Sequence, residues 1–127
     1  MKYKVIVKTS VRGRPKDHEI SAALILTEYF HTDIVFLRPM INKTPDLDIR
    51  GTVWELKSPM GGGKYTIQNN LREAKRQSSN IILDLARIKM HENRALAQAE
   101  HIIKNHKVSS IKHLIVIKKS QSIVVLK

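Results

Sequence analysis

Residues 44–59 of the chain read TPDLDIRGTVWELKSP, and this stretch predicts a β-hairpin. Two segments in which apolar and polar residues alternate, PDLDI and TVWELK, flank the dipeptide Arg50-Gly51. A two-residue turn between alternating segments is typical of a hairpin, and the glycine supplies the positive φ that the turn requires. The resulting register pairs Leu47 with Trp54, and we expect both side chains to face the core.

The same register places two carboxylates together on the other face of the hairpin. Directly opposed residues share a face, so the Cβ atoms of Asp46 and Glu55 should lie about 5 Å apart. Asp48 and Lys57 share that face. Two like charges at this separation repel by roughly 3 kcal/mol at an effective dielectric constant of about 20. A divalent cation bound by both carboxylates would offset the repulsion, and their hard oxygen ligands suit Mg²⁺ or Mn²⁺ rather than zinc.

Lys57 could orient an attacking water or stabilise charge on a scissile phosphate beside such an ion. A plainer interpretation of the same residues remains open. Asp46 then merely starts a strand after Pro45, while Glu55 pairs with Lys57 or Arg50 in water.

The overall composition favours a polyanionic partner. The chain has 23 Lys+Arg against 11 Asp+Glu, a formal net charge of +12, and a pI near 10.2. Neutralising phosphates releases counterions and so favours nucleic-acid binding. An anionic membrane surface is the weaker candidate, because no segment combines a basic face with a strongly apolar one. The absence of cysteine excludes disulfides, thiolate zinc sites and a cysteine nucleophile.

The length of 127 residues predicts one domain spanning 1–127. No apolar run approaches the roughly 20 residues that cross a bilayer, so we expect no membrane association and a cytoplasmic site of action. Sequence periodicity predicts an α/β domain on a mixed sheet, in the order β-α-β-β-β-α-β-α-β-β. The predicted elements are an edge strand at 2–8, a helix capped by Asp17 and running to about His31, strands at 33–39, 45–49 and 52–57, a helix from Thr66 to near Ser79, a central strand at 80–86, a helix from about His91 to Asn105, and a hairpin of 111–117 with 122–127.

The hairpin and the helix before it resemble the PD-(D/E)xK nuclease superfamily. The matching residues are Pro45-Asp46 and Glu55-Leu56-Lys57, in a strand-turn-strand unit that follows an acid-bearing helix. The resemblance implies a restriction-endonuclease-like αβββαβ core over residues 17–85, extended by an N-terminal strand, a C-terminal helix and a hairpin. It also implies that Glu19, Asp46 and Glu55 bind the metal and that Lys57 assists hydrolysis.

A second resemblance covers most of the chain. HEISAALILTEYF, TPDLDIRGTVWELKSP and Gln77-Ser78 leading into NIILDL are similar to the C-terminal nuclease domains of CdiA-type contact-dependent toxins. This resemblance implies metal-dependent cleavage of tRNA or, in some members, of DNA. An immunity or inhibitor protein is the further partner expected of a toxin, although none can be read from this sequence.

Several other polar residues are candidates for nucleic-acid contacts, and each has a plainer interpretation as a solvated side chain. They are Lys64, Tyr65, Arg72, Arg76, Gln77 and Arg87. His18 could lie at the mouth of the site, but a solvated helix N-terminus accounts for it more simply. Asp84, at the end of a buried strand, is expected to cap the next turn. Three other functions stay open: a DNA endonuclease or resolvase of the same fold, a non-catalytic basic nucleic-acid-binding module, and a catalytically idle relative that serves as an assembly or regulatory subunit.

Overall fold

The computed structural model describes residues 3–8, 14–37, 46–105 and 109–127. Within these ranges the chain forms three helices and one mixed sheet of seven strands. The predicted α/β class and the predicted order of elements are confirmed; the predicted end of the second strand and Pro45 lie outside the described residues. The elements are β1 (Val5–Val7), α1 (Asp17–Phe30), β2 (Ile34–Phe36), β3 (Leu47–Ile49), β4 (Thr52–Lys57), α2 (Thr66–Ala74), β5 (Asn80–Asp84), α3 (Glu92–Asn105), β6 (His113–Ile117) and β7 (Ile123–Val125).

The strands lie side by side in the order in which they occur along the chain, from β1 at one edge to β7 at the other. The pairs β1–β2, β4–β5 and β5–β6 are parallel, and the remaining pairs are antiparallel. Parallel neighbours need a long crossover, and here α1, α2 and α3 supply one each. The sheet therefore places the end of β4 beside β5, with α2 connecting the two strands.

The core has two layers, one on each face of the sheet. Alternate side chains of a strand point to opposite faces, and β5 shows this directly. Ile81 and Leu83 belong to the cluster that includes the apolar residues of α2 and α3, whereas Ile82 belongs to the cluster built with α1. This explains the continuous apolar run of β5, which was predicted to be a central strand and pairs in parallel on both sides.

The predicted hairpin register is confirmed. Leu47 pairs with Trp54, and the turn residues Arg50 and Gly51 have φ values of 53° and 85°. Positive φ at both central residues matches the right-handed twist of the strands that the turn joins. The Asp48 carboxylate accepts a hydrogen bond of 2.7 Å from the Gly51 N–H and so stabilises the turn. The Trp54 side chain is buried, as expected from its position in the register.

Two helix ends differ from the prediction. Asp17 is the first residue of α1 and not its cap; Lys16 is the capping residue, and its N–H donates to the Glu19 carboxylate at 2.8 Å. α2 ends at Ala74 and not near Ser79, since residues 75–77 form turns. The Ser78 hydroxyl donates to a backbone carbonyl of β4 at 3.0 Å, which fixes the chain against the sheet before β5 begins.

Candidate active site

A polar pocket of about 350 Å³ lies where the start of α1, the end of β4 and the first half of α2 meet. All four residues that were predicted to be catalytic, Glu19, Asp46, Glu55 and Lys57, line this pocket. They come from three separate segments of the chain. The complete lining is Lys16, His18, Glu19, Asp46, Glu55, Leu56, Lys57, Ser58, Asn70 and Arg87.

Asp46 is fixed by contacts on both sides. Its Oδ2 atom accepts a hydrogen bond of 3.0 Å from the Leu56 N–H of β4. Its backbone carbonyl accepts one of 2.9 Å from the Leu37 N–H, at the end of β2. The carboxylate therefore has a defined position beside β4. Its second oxygen, Oδ1, takes no part in the hydrogen bond with Leu56.

Glu55 is buried, with only 6% of its surface exposed. Its Oε1 atom is also buried, and it has no hydrogen-bond partner among the residues that the structure describes. The pKa of Glu55 is raised from 4.5 to about 8; burial is the largest cause and the Asp46 charge adds to it, while Lys57 acts in the opposite direction. The plainer interpretation, in which Glu55 pairs with Lys57 or Arg50 in water, is wrong, because Glu55 is buried while Lys57 pairs with Glu73 and Arg50 donates to the His31 carbonyl.

The pKa of Asp46 is raised as well. Burial is the largest cause, and the nearby Glu19 charge adds to it, whereas the hydrogen bond from Leu56 lowers it. Two neighbouring carboxyl groups whose pKa values are both raised cannot both ionise without a cost in free energy. Near neutral pH the metal-free pair therefore retains a proton.

Glu19 faces the same pocket but also serves the helix. Its Oε1 atom accepts the Lys16 N–H, as described above, so Oε2 is the oxygen that it would offer to an ion. Within the described ranges, no group of three or more His, Cys, Asp or Glu side chains is arranged to hold a metal ion. The set of three predicted ligands therefore stays a prediction. The Asp46–Glu55 pair does fit a hard cation, because both donors are carboxylates and one buried oxygen lacks a partner.

Lys57 is held at the pocket by a residue that the sequence did not single out. Its Nζ atom lies 3.2 Å from Oε1 of Glu73 on α2. Lys57 is 24% exposed and Glu73 is 66% exposed, so the pair contributes at most about 1 kcal/mol to stability. The contact directs the ammonium group of Lys57 toward α2.

Arg87 adds a further positive charge, beside those of Lys16 and Lys57, to the lining of the pocket. Its Nη2 atom donates to the Ser58 carbonyl at 2.9 Å, which connects the loop after β5 to the loop after β4. The Nε atom is buried, with no hydrogen-bond partner in the described part of the chain. Asp84 caps the turn after β5, as predicted: its Oδ1 atom accepts the Ala86 N–H at 3.1 Å. Burial is the main cause that raises the pKa of Asp84.

A known protein family matches the chain over the hairpin and the elements that follow it. Residues 43–123 match the model of the "Contact-dependent growth inhibition CdiA C-terminal domain" family, which is more than half of the chain. The chain belongs to this family. The second resemblance described above is thereby confirmed at the level of the family.

A solved structure has the same fold as this CdiA C-terminal domain. It is a chain of the "CdiA-CT/CdiI toxin and immunity complex from Burkholderia pseudomallei", with a TM-score of 0.68 and 21% sequence identity over 98% of both chains. No curated protein sequence matches the chain. In the part of the CdiA C-terminal domain that the structure describes, no helix is long and apolar enough to cross a membrane.

The predicted nucleic-acid-binding residues of this CdiA C-terminal domain do not form one cluster. Arg87 lines the polar pocket that contains Glu19, Asp46 and Glu55, called the acidic pocket from here on, and Lys64 and Tyr65 line a separate groove. Arg72 and Arg76 are exposed on α2 and in the turn that follows it. Gln77 is half-buried, and its Oε1 atom has no hydrogen-bond partner among the described residues.

Four residues of the pocket and its edge were missed or set aside by sequence reasoning. Asn70 and Glu73 lie three residues apart on α2, next to the apolar stripe that packs on the sheet. That spacing could have placed both of them beside β4. His18 is half-buried in the pocket wall, not at a solvated helix end, and Lys16 carried no signal beyond its charge.

Proposed function

We propose that this CdiA C-terminal domain is a metal-dependent endonuclease that hydrolyses phosphodiester bonds in RNA. The observation that supports this most is the Asp46–Glu55 pair, two neighbouring carboxyl groups, one half-buried and one buried, in a pocket that also contains Lys57. Perturbed carboxyl groups in a polar cleft are a common feature of catalytic sites. The arrangement is the one expected of the PD-(D/E)xK nucleases that the sequence resembles.

Asp46 and Glu55 would hold a Mg²⁺ or Mn²⁺ ion, with Glu19 as the third acid facing it. A bound divalent ion polarises the phosphoryl oxygen and lowers the pKa of a coordinated water. Binding also requires both carboxylates to lose their protons, so affinity should rise with pH as Glu55 ionises. The orphaned Oε1 atom of Glu55 is the buried acceptor that such an ion would satisfy.

The cations of the pocket would act on the substrate. Lys57, restrained by Glu73, holds its ammonium group where it can orient the attacking water and stabilise charge on the scissile phosphate. Arg87 and Lys16 line the same pocket and would orient the phosphate by direct contacts. Asp46 is oriented by the Leu56 N–H, which keeps its carboxylate in one position during turnover.

The proposed substrate is structured RNA, with tRNA favoured over duplex DNA. The sequence resembles toxin domains of the CdiA type, among which tRNases are frequent. The basic residues are spread over several segments, a distribution suited to an irregular phosphate surface that is recognised by shape. The site of action would be the cytoplasm of a cell, and an immunity protein would be the natural inhibitor. Such a partner is named in the solved complex that shares this fold.

The test is incubation of the full chain with total tRNA and with plasmid DNA, in Mg²⁺ or Mn²⁺ and in EDTA. We expect discrete tRNA fragments with either metal, none in EDTA, and intact plasmid at the same protein concentration. Cleavage of plasmid beside intact tRNA would overturn the choice of substrate. Absence of cleavage of either nucleic acid under every condition would refute the proposed activity and favour the alternative of a non-catalytic nucleic-acid-binding module.

A further inference from the structure

A second concave surface, a groove of about 450 Å³, lies between the start of α2 and the outer face of α3. We propose that this groove, called here the Tyr65 groove, binds an unpaired nucleobase of the RNA substrate. The choice of RNA as ligand rests on the function proposed above. The polar and aromatic side chains that line the groove are Lys64, Tyr65, Gln68, Arg94, Gln98 and His101.

Tyr65 gives the groove a surface on which a base can stack. It is 55% exposed, the largest exposed fraction among the aromatic side chains in the described ranges. The Nζ atom of Lys64 lies 5.6 Å from the centroid of the Tyr65 ring, within reach of a cation–π interaction. A nucleotide presents a flat aromatic base next to an anionic phosphate, and here an aromatic ring lies next to a cation.

The groove also offers hydrogen-bonding and charged groups around that ring. Arg94 is exposed on α3 and supplies a further cation for the phosphates. Gln68 and Gln98 present amide groups, and the Oε1 atom of Gln98 is buried with no hydrogen-bond partner in the described chain. In RNA, where the duplex major groove is too deep and narrow for side chains, amide groups can recognise the edges of bases that are unpaired and splayed out, as in loops.

The loop that carries Tyr65 is held in place by backbone contacts. The carbonyl of Gly61 accepts a hydrogen bond of 3.1 Å from the Lys89 N–H. A Cβ atom on Gly62 would lie 2.2 Å from the Lys89 carbonyl oxygen, so only glycine permits this approach. The N–H of Gly63 donates to the Thr66 hydroxyl at 3.0 Å. The position of Tyr65 is thus defined before a ligand binds, which lowers the entropic cost of binding.

The Tyr65 groove and the acidic pocket lie on opposite flanks of α2. Gln68 lines the groove and Asn70 lines the pocket. Residues two apart on a helix are separated by about 200° of rotation, and a helix with its side chains is about 10 Å across. A single RNA strand that crosses the start of α2 could therefore place an unpaired base against Tyr65 while its backbone reaches the acidic pocket. This favours cleavage in or next to an RNA loop.

The experiment measures binding without cleavage. The full chain is titrated, in EDTA, against a labelled single-stranded RNA and against a blunt RNA duplex with equal strand length. Tyr65→Ala should weaken binding of the single strand at least about fivefold, because stacking on one aromatic ring contributes that much or more. It should leave duplex binding unchanged. Tyr65→Phe should bind like the wild type, since the ring is kept.

Tyr29→Ala is the matched control, because Tyr29 is an exposed tyrosine outside the groove. This variant should bind both RNAs like the wild type. Unchanged single-strand binding by Tyr65→Ala, or an equal loss for single strand and duplex, would overturn the proposal. Because no metal or cleavage is involved, the result is separate from the nuclease test. A protein that cleaves nothing but shows the Tyr65 effect would refute only the enzymatic proposal.

Discussion

Glu55→Gln should stabilise the metal-free protein at alkaline pH. The pKa of Glu55 is raised from 4.5 to about 8, mainly by burial. Each unit of difference between the pKa values of the folded and unfolded states corresponds to about 1.4 kcal/mol, so ionised Glu55 destabilises the folded state by up to about 5 kcal/mol. Coupling to Asp46 divides this cost between the two groups, and we expect the measured part to be at least about 1 kcal/mol.

The pH window follows from the direction of this shift. Between pH 4.5 and about 8 the folded protein binds a proton at Glu55 that the unfolded chain has lost. Stability therefore falls as pH rises through this range, and the loss is complete above it. Glu55→Gln cannot ionise and lacks this slope. The advantage of the variant over the wild type should be small near pH 4.5 and reach its full size above pH 8.

The assay is urea unfolding of both proteins in EDTA at several pH values across this window. Comparing the two proteins cancels the contribution of Asp84, whose pKa is also raised by burial. Glu100→Gln, an exposed change on α3, is the control and should follow the wild type at every pH. An identical dependence of stability on pH in the wild type and Glu55→Gln would refute the argument that Glu55 is a destabilising buried acid.

The same unfolding assay with a divalent cation added tests whether Glu55 binds the metal. Mn²⁺ or Mg²⁺ should raise the stability of the wild type at pH 8 by mass action and should stabilise Glu55→Gln much less. If the cation stabilises both proteins equally, Glu55 is not a ligand, and the proposed metal site fails even when the pH result is as expected.

Three further outcomes are expected. Asp46→Asn should leave the metal-free protein folded and at least as stable as the wild type, because an amide oxygen can still accept the Leu56 N–H, but the variant should not cleave RNA. A clear fall in its melting temperature would show that Asp46 has a structural role. Lys57→Ala should lower turnover at least about a hundredfold with RNA affinity little changed, whereas Lys104→Ala, an exposed change on α3, should leave both turnover and affinity at the wild-type level. Equal losses of affinity and turnover in Lys57→Ala would show that Lys57 only binds the substrate. Gly62→Ala should lower the free energy of unfolding in urea by about 1–3 kcal/mol, because its Cβ would meet a backbone carbonyl. Gly63→Ala is the control and should be tolerated, since its Cβ would make only an ordinary contact of 3.7 Å. Equal stability of the two variants would contradict the close packing of this loop.

The hairpin could be predicted from sequence because its determinants are local. The positive φ values at Arg50 and Gly51 fix the turn, and alternation of side chains then fixes which residues share each face. The pairing of Leu47 with Trp54 followed without any knowledge of the rest of the chain. The common location of Asp46, Glu55 and Lys57 followed in the same way.

Contacts between separate elements could not be predicted in this way. The Glu73 partner of Lys57 depends on how α2 packs across β4, which periodicity within either element does not determine. The start of α1 was misplaced by one residue because Asp17 is a good capping residue by type. The chain uses Lys16 instead, since the Glu19 side chain supplies the acceptor for its N–H.

The strand order has a consequence for how this domain can unfold and refold. Every strand pairs with its neighbours in the sequence, and the first and last strands occupy the two edges of the sheet. Tension on either terminus therefore peels away an outer strand first, and no strand has to be withdrawn from between two others. Refolding is not equally simple, because each parallel pair, such as Val5 with Ile34, joins strands separated by a whole helix, and closing these long loops slows the formation of the sheet.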